Sequence, residues 1–112
     1  LVVVIIIAIL AAIAIPMYLS QRQKGWEADA KSNLRNAAVA QESHYVDNST
    51  YTTDEADLAV EGFNRSANVT VNYEAGDSAD IATSYCMDAV HDSGGGTFNL
   101  DSDSGEPQDG AC

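Results

Sequence analysis

Basic side chains are scarce in this sequence, and its C-terminal part has none. Five Lys and Arg oppose seventeen Asp and Glu, so the formal net charge is −12, and residues 66–112 hold nine acids without a single Lys or Arg. Proteins that bind nucleic acid use basic side chains to neutralise phosphates. The composition therefore argues against nucleic acid as a partner.

Histidine and cysteine, which form many catalytic and metal sites, are also few. His44 falls on a predicted helix and His91 in a predicted turn beside Asp92, and neither stands near a recognisable Ser or Cys nucleophile motif. We expect both histidines to face solvent, and the protein to be neither an enzyme nor dependent on a cofactor. Cys86 and Cys112, the two cysteines, lack the close Cys or His neighbours of a metal site, which leaves a disulfide or two buried thiols.

Charge is absent from the first nineteen residues, Leu1 to Leu19. About a dozen large aliphatic side chains stand there, and leaving them in water would cost on the order of 20–30 kcal/mol. As a helix the segment would span roughly 28 Å and be apolar all round, which suits a bilayer or a helix bundle. The sequence Ala12-Ile13-Ala14 also fits a signal-peptide cleavage pattern, but no basic region precedes it. We predict a transmembrane or filament-core stem at residues 1–19 and a globular head at residues 20–112.

The stretch Leu-Val-Val-Val-Ile-Ile-Ile-Ala-Ile-Leu-Ala-Ala-Ile-Ala-Ile-Pro, residues 1–16, resembles the N-terminal helix of type IV pilins and pseudopilins. The family's mature chains open with six further residues, including an N-methylated Phe and a Glu, that do not precede Leu1 here. The resemblance implies a stem held in the plasma membrane until pilus assembly machinery extracts it into a filament. On this interpretation the filament core is packed by Leu1, Val4, Ile5, Ile6, Ile9, Leu10 and Ile13.

Two features mark the junction between stem and head. Pro16 lacks an N–H and its ring clashes with the carbonyl of Ala12, so we predict a helix break between about Ala11 and Met17. Beyond it lies a basic cluster that has two equally supported interpretations, contact with anionic lipid headgroups or pairing with Glu27 and Asp29 on the helix surface. This cluster consists of Arg22, Lys24, Lys31 and Arg35.

The head reads as an α+β fold. Apolar positions every three or four residues predict a helix to about residue 47, with a packing face of Trp26, Ala30, Leu34, Ala37, Ala38, Gln41 and Tyr45. Residues 48–67 read as a connection with a short helix at Asp54–Val60, whose first turn is acidic. Alternation predicts strands at Asn68–Tyr73, Ile81–Met87 and Thr97–Leu100, hence about three antiparallel strands within residues 68–100. The pilin resemblance implies the same long helix on a small sheet.

The tail, residues 101–112, is predicted to be closed by a Cys86–Cys112 disulfide, which is the usual state in a small exported domain. Many type IV pilins have a similar C-terminal disulfide loop. Asp101, Asp103 and Glu106 resemble the start of a calcium loop, and major pseudopilins carry calcium in a comparable place. The glycine stands one position early and the twelfth position lacks Glu, so a solvated acidic turn is preferred and no metal is expected.

These patterns lead to one preferred function and two alternatives. We expect the major structural subunit of a type IV pilus, a homo-oligomeric extracellular filament whose subunits reside in the plasma membrane before assembly. A major pseudopilin of type II secretion and a membrane-anchored minor pilin or binding module are the alternatives. Motifs for N-glycosylation begin at Asn48, Asn64 and Asn68.

Overall fold

A helix of 47 residues is the main structural element of the molecule, which measures 71 × 25 × 17 Å. In the computed structural model this helix, α1, spans Val2–Asn48; the structure describes residues 1–13 and 21–112. Helix α1 ends where Ser49 adopts a left-handed conformation (φ 58°) and its N–H donates to the carbonyl of Tyr45 at 2.7 Å. The predicted break at Pro16 lies outside the described residues.

One face of α1 packs on the head. Ala30, Ala37 and Ala40 are buried around Leu34, which is fully buried. Small side chains let the sheet approach the helix closely, while Leu34 fills the space between them. Trp26 and Ala38 are half-buried, and Tyr45 is 41% exposed, so the predicted face is most completely covered in its middle.

Four antiparallel strands form a meander in the order β1-β2-β3-β4. They span Val69–Ala75 (β1), Tyr85–His91 (β2), Gly94–Asp101 (β3) and Gln108–Asp109 (β4). Alternating side chains face α1 and complete the core, because successive residues of a strand point to opposite sides of the sheet. These core side chains are Val69, Val71, Tyr85, Met87, Ala89, Phe98 and Leu100. The α+β fold is thereby confirmed, with a fourth strand in addition to the expected three.

Two predicted strands were misplaced along the chain. The first part of Ile81–Met87 is a turn, in which the N–H groups of Thr83 and Ser84 donate to the carbonyl of Asp80. The alternation that includes Tyr85 and Met87 instead continues to His91, so the pattern identified the correct face but not the ends. The predicted Thr97–Leu100 strand begins earlier, at Gly94, which pairs with His91 across a two-residue turn.

Two buried amides fix the connection between helix and sheet. Gln41 donates to the carbonyl of Thr52 at 2.7 Å and accepts from its N–H at 3.0 Å. Asn33 accepts from the N–H of Ser66 at 2.9 Å. The two side-chain amides take the place of backbone hydrogen-bond partners for the connection. They hold it against α1 at both ends and keep its buried polar groups paired.

The connection also contains a short helix, α2, at Glu55–Val60. The Asp54 side chain caps it by accepting from the N–H of Ala56 at 3.0 Å. Leu58 is fully buried in the core. The predicted helix at Asp54–Val60 is thus present, one residue shorter because Asp54 is its cap.

Candidate assembly surface and disulfide-closed tail

The described N-terminal residues expose their apolar side chains. Every large hydrophobic side chain among residues 1–13 is at least half exposed, from Ile6 at 50% to Leu1 at 104%. The core cluster begins at Ala30 and includes no residue of this segment. We call residues 1–13 the apolar segment. It contains all seven side chains predicted to pack a filament core, which are Leu1, Val4, Ile5, Ile6, Ile9, Leu10 and Ile13.

The energetic cost of that exposure is large. Ten large aliphatic side chains stand exposed in the apolar segment, and burying them would be worth about 15–30 kcal/mol. Monomeric soluble proteins rarely present contiguous apolar surface of this extent, which marks an interaction site. In the part of the chain that the structure describes, no helix has enough apolar length to cross a membrane.

The far end of the head is closed by a disulfide between Cys86 and Cys112, as expected. Cys86 lies on β2, and it is buried although it points away from α1, since the tail covers it. Around the bridge, Asn99 donates to the carbonyl of Gly110 at 2.9 Å, and the N–H of Cys112 donates to Asp88 at 3.3 Å. The tail therefore pairs with β3 as the edge strand β4 and then crosses the outer side of the sheet to reach Cys86.

A packed aromatic group lies where α1 enters the head. The rings of Trp26 and His91 stack with centroids 5.8 Å apart, and the Arg22 guanidinium lies 5.5 Å from the Trp26 ring. His91 accepts from the N–H of Ser93 at 3.0 Å, and its Nε2 is 3.8 Å from the carboxylate of Asp29. His91 is only 7% exposed, so the prediction that it faces solvent was wrong. It lies on the inner face of β2, under Trp26, rather than in the turn.

This geometry agrees with what comparisons with known proteins find. The family described as type IV minor pilin ComP, DNA uptake sequence receptor, matches residues 16–104. The type IV wide pilus major component PilA4 of Thermus thermophilus is 37% identical over 106 residues, which cover 94% of this chain and 78% of that protein. The chain belongs to the type IV pilin family. This pilin is accordingly a subunit of a type IV pilus, a structural protein of an extracellular filament that is assembled from the membrane.

The acidic turn of the pilin is organised by its own backbone. Asp101 accepts from the N–H groups of Asp103 at 3.0 Å and Ser104 at 2.6 Å. The pKa of Asp103 is raised, chiefly because its carboxyl shares a hydrogen bond with Asp77 and also through desolvation and nearby negative charge. Glu106 is exposed further along the turn. The three predicted calcium ligands thus share one turn, and calcium binding by them stays a hypothesis.

One trio of potential metal ligands does converge within the described residues. The ligand atoms of Glu74, Cys86 and Cys112 lie within 4.8 Å of one another. Both sulfurs are consumed by the disulfide, and metals are bound by the thiolate form of cysteine. This trio therefore offers a single free carboxylate, which is too little for a metal site.

The remaining predicted positions lie on the surface. Asn48, Asn64 and Asn68 are all exposed, and N-glycosylation there stays a prediction. His44 is half-buried at the end of α1, where the Asn48 amide is 3.2 Å from its Nδ1. Within the described residues, the sequence prediction missed the stack on Trp26 and the two tethering amides. In the sequence, the one indication of these contacts was the recurrence of packing positions every three or four residues, which includes Trp26 and Gln41.

Proposed function

We propose that this pilin is a major structural subunit whose apolar segment packs against the same segment of other copies in the core of a type IV pilus. The observation that carries the proposal is that the head completes its core without residues 1–13, while all the large side chains of that segment stay exposed. A helix that is apolar all round can be buried among identical helices in any azimuthal direction. Such contacts are head-to-tail and do not close, so they propagate into a filament.

A membrane and a filament are successive environments for this segment. We place the subunit in the plasma membrane before assembly and in the extracellular pilus afterwards, delivered by pilus assembly machinery. The name of the Thermus thermophilus relative, a wide pilus major component, supports the major role. We infer a homo-oligomer on the same ground.

The family description also raises the role of a minor pilin that recognises DNA. The charge of this chain opposes that role. A net charge of −12 repels phosphates. Only five basic residues are present to neutralise them, and one of these, Arg65, is paired with Glu55 at 2.9 Å. We therefore favour the structural role over DNA recognition, and the name of the Thermus thermophilus relative favours it over a pseudopilin.

The test is the substitution Ile6→Asp with Ile6→Leu as the matched control. A buried unpaired carboxylate in every copy costs several kcal/mol, so Ile6→Asp should abolish pili while the head stays folded. Ile6→Leu should leave the amount of sheared pili unchanged. Pili of normal length and number from the Ile6→Asp chain, seen by negative-stain electron microscopy, would rule the proposal out.

The major role has its own readout. Mass spectrometry of sheared pili should find this chain as the most abundant protein, and deleting its gene should remove the fibres. If fibres persist in the deletion strain with this chain at trace level, it is a minor pilin. If no fibres form and secretion fails instead, it is a pseudopilin.

A further inference from the structure

One side of α1 carries a set of basic and apolar residues, of which Lys31 is half-buried against the sheet and the others are exposed. Lys24, Lys31 and Arg35 are seven and four residues apart, so they lie on one side of the helix. Val39 and Val46 continue along that side and are 71% and 81% exposed, with the exposed acid Glu42 between them. We call the five basic and apolar residues the outward face of α1.

Among the described residues, Lys24, Lys31 and Arg35 form no salt bridge with an acid of their own chain. The Arg65 guanidinium, by contrast, lies 2.9 Å from the Glu55 carboxylate. Lys31 instead places its ammonium 4.6 Å from the centre of the Phe98 ring. The predicted pairing with Glu27 and Asp29 on the helix surface is therefore not formed by Lys24, Lys31 or Arg35 in the part of the chain that the structure describes.

The rest of the head presents the opposite charge. Residues 66–112 contain nine acids and no Lys or Arg, and seven of those acids are exposed, which are Glu74, Asp77, Asp80, Asp92, Asp103, Glu106 and Asp109. Two of these acids lie close together, and the pKa of Asp103 is raised, chiefly by a hydrogen bond with Asp77. If a second copy approaches with its sheet or tail, it therefore presents exposed carboxylates. Residues 66–112 of that copy contain no Lys or Arg to neutralise them.

We propose that the outward face of α1 binds the carboxylate-rich head of a neighbouring copy, so that complementary charges align adjacent subunits of the pilus. The inference rests on the proposed function, because it needs copies packed side by side. The apolar segment supplies the association energy without fixing an orientation, since its surface is alike all round. Charged groups across an interface fix register and exclude wrong arrangements more than they add affinity.

A zero-length carbodiimide cross-linker tests this contact directly, because it joins an amine only to a carboxylate in contact with it. In sheared pili, Lys24 and Lys31 should be joined to Asp or Glu side chains of another copy, and these links should be absent from subunits dispersed in detergent. Links that are absent from pili, or equally abundant in dispersed subunits, would overturn the proposal.

Variants give a second, independent readout. The triple variant Lys24→Gln, Lys31→Gln and Arg35→Gln should lower the yield of sheared pili about tenfold, the equivalent of about 1.4 kcal/mol. Wild-type pili should also lose subunits in high salt, because salt screens exposed charges. The matched control makes the same change in net charge at exposed positions away from this face, with Thr53→Glu, Ala59→Glu and Ala67→Glu, and should assemble normally. Equal yields from the triple variant and the control would overturn the proposal.

Two further outcomes separate this inference from its alternatives. If the triple variant assembles like the control but its pili lose binding to double-stranded DNA in a gel-shift assay, the face binds nucleic acid and the proposal is wrong. If Ile6→Asp abolishes pili while the triple variant matches its control, the proposed function stands and this inference alone fails. A wild-type chain that forms no pili would overturn both.

Discussion

Residues 2–13 and 21–48 belong to the same helix, but they differ in what covers their apolar side chains. In the second part, Ala30, Leu34 and Ala37 lie under the sheet and are fully buried. In the first part, large side chains such as Ile6 and Ile9 are half exposed or more. If the apolar segment packs the filament core as proposed, folding and assembly draw on separate apolar surfaces, so substitutions should affect one without the other.

The largest expected effect on folding comes from the buried half of α1. Leu34→Ala should lower the free energy of unfolding of the head by about 2–5 kcal/mol, since it leaves a cavity in the centre of the core. The matched change Ile9→Ala should leave the head unaffected because Ile9 lies outside the core cluster. Thermal unfolding of both full-length variants in detergent provides the measurement, and equal melting temperatures would contradict the separation of the two surfaces.

The next effect concerns the tail. Reducing the bridge of Cys86 and Cys112, which are 26 residues apart, should cost roughly 3 kcal/mol in the chain-entropy model. Residues 101–112 are exposed or half-buried, and β4 is only two residues long, so hydrogen exchange should rise there before it rises in α1. Faster exchange in α1 first would show that the bridge holds the core rather than the tail.

Calcium provides the control for that experiment. With the disulfide intact, adding calcium or a chelator should leave the melting temperature unchanged if the acidic turn is only solvated. A clear rise with calcium would mean that Asp101, Asp103 and Glu106 form a site that stabilises the folded head by mass action. That result would move the assignment toward a pseudopilin.

Much of the fold could be predicted because the patterns of this chain are local. The spacing of Ala30, Leu34 and Gln41 gave the packing face of α1, and alternation gave the inner faces of the strands. Strand β4 could not be found in this way, since Gln108 and Asp109 are both exposed and carry no alternation.

His91 shows a second limit of the sequence. Its neighbours Asp92 and Ser93 signal a turn, but β2 reaches His91 itself, and Trp26 from α1 covers its ring. Gly94 and Gly95 also read as turn residues, yet they begin β3 close to the helix, where a Cβ at Gly95 would lie 3.0 Å from Glu27 Cγ. Burial that depends on a residue about 65 positions away leaves no local pattern.

The smallest expected effect is electrostatic and confined to the tail. Because the folded-state pKa of Asp103 is raised above 3.8, its protonated form is favoured in the folded chain, and that stabilisation is lost as pH rises through the folded pKa. Asp103→Asn, which mimics the protonated form, should therefore slow hydrogen exchange of residues 101–106 slightly at about pH 7. The difference should vanish below pH 3.8.

The control for this substitution is Asp109→Asn, which makes the same change in net charge at an exposed position of β4. It should leave exchange of residues 101–106 as in the wild type. If both variants slow hydrogen exchange of residues 101–106 equally, the effect comes from overall charge rather than from the pair of Asp103 and Asp77.

A cryo-electron microscopy map of sheared pili tests the division between the two surfaces most directly. We expect residues 1–13 along the filament axis, contacted on all sides by the same residues of other copies, with each head retaining the core built around Leu34 and Met87. A map that places residues 1–13 on the filament surface, or folds them into the core of their own head, would contradict the account.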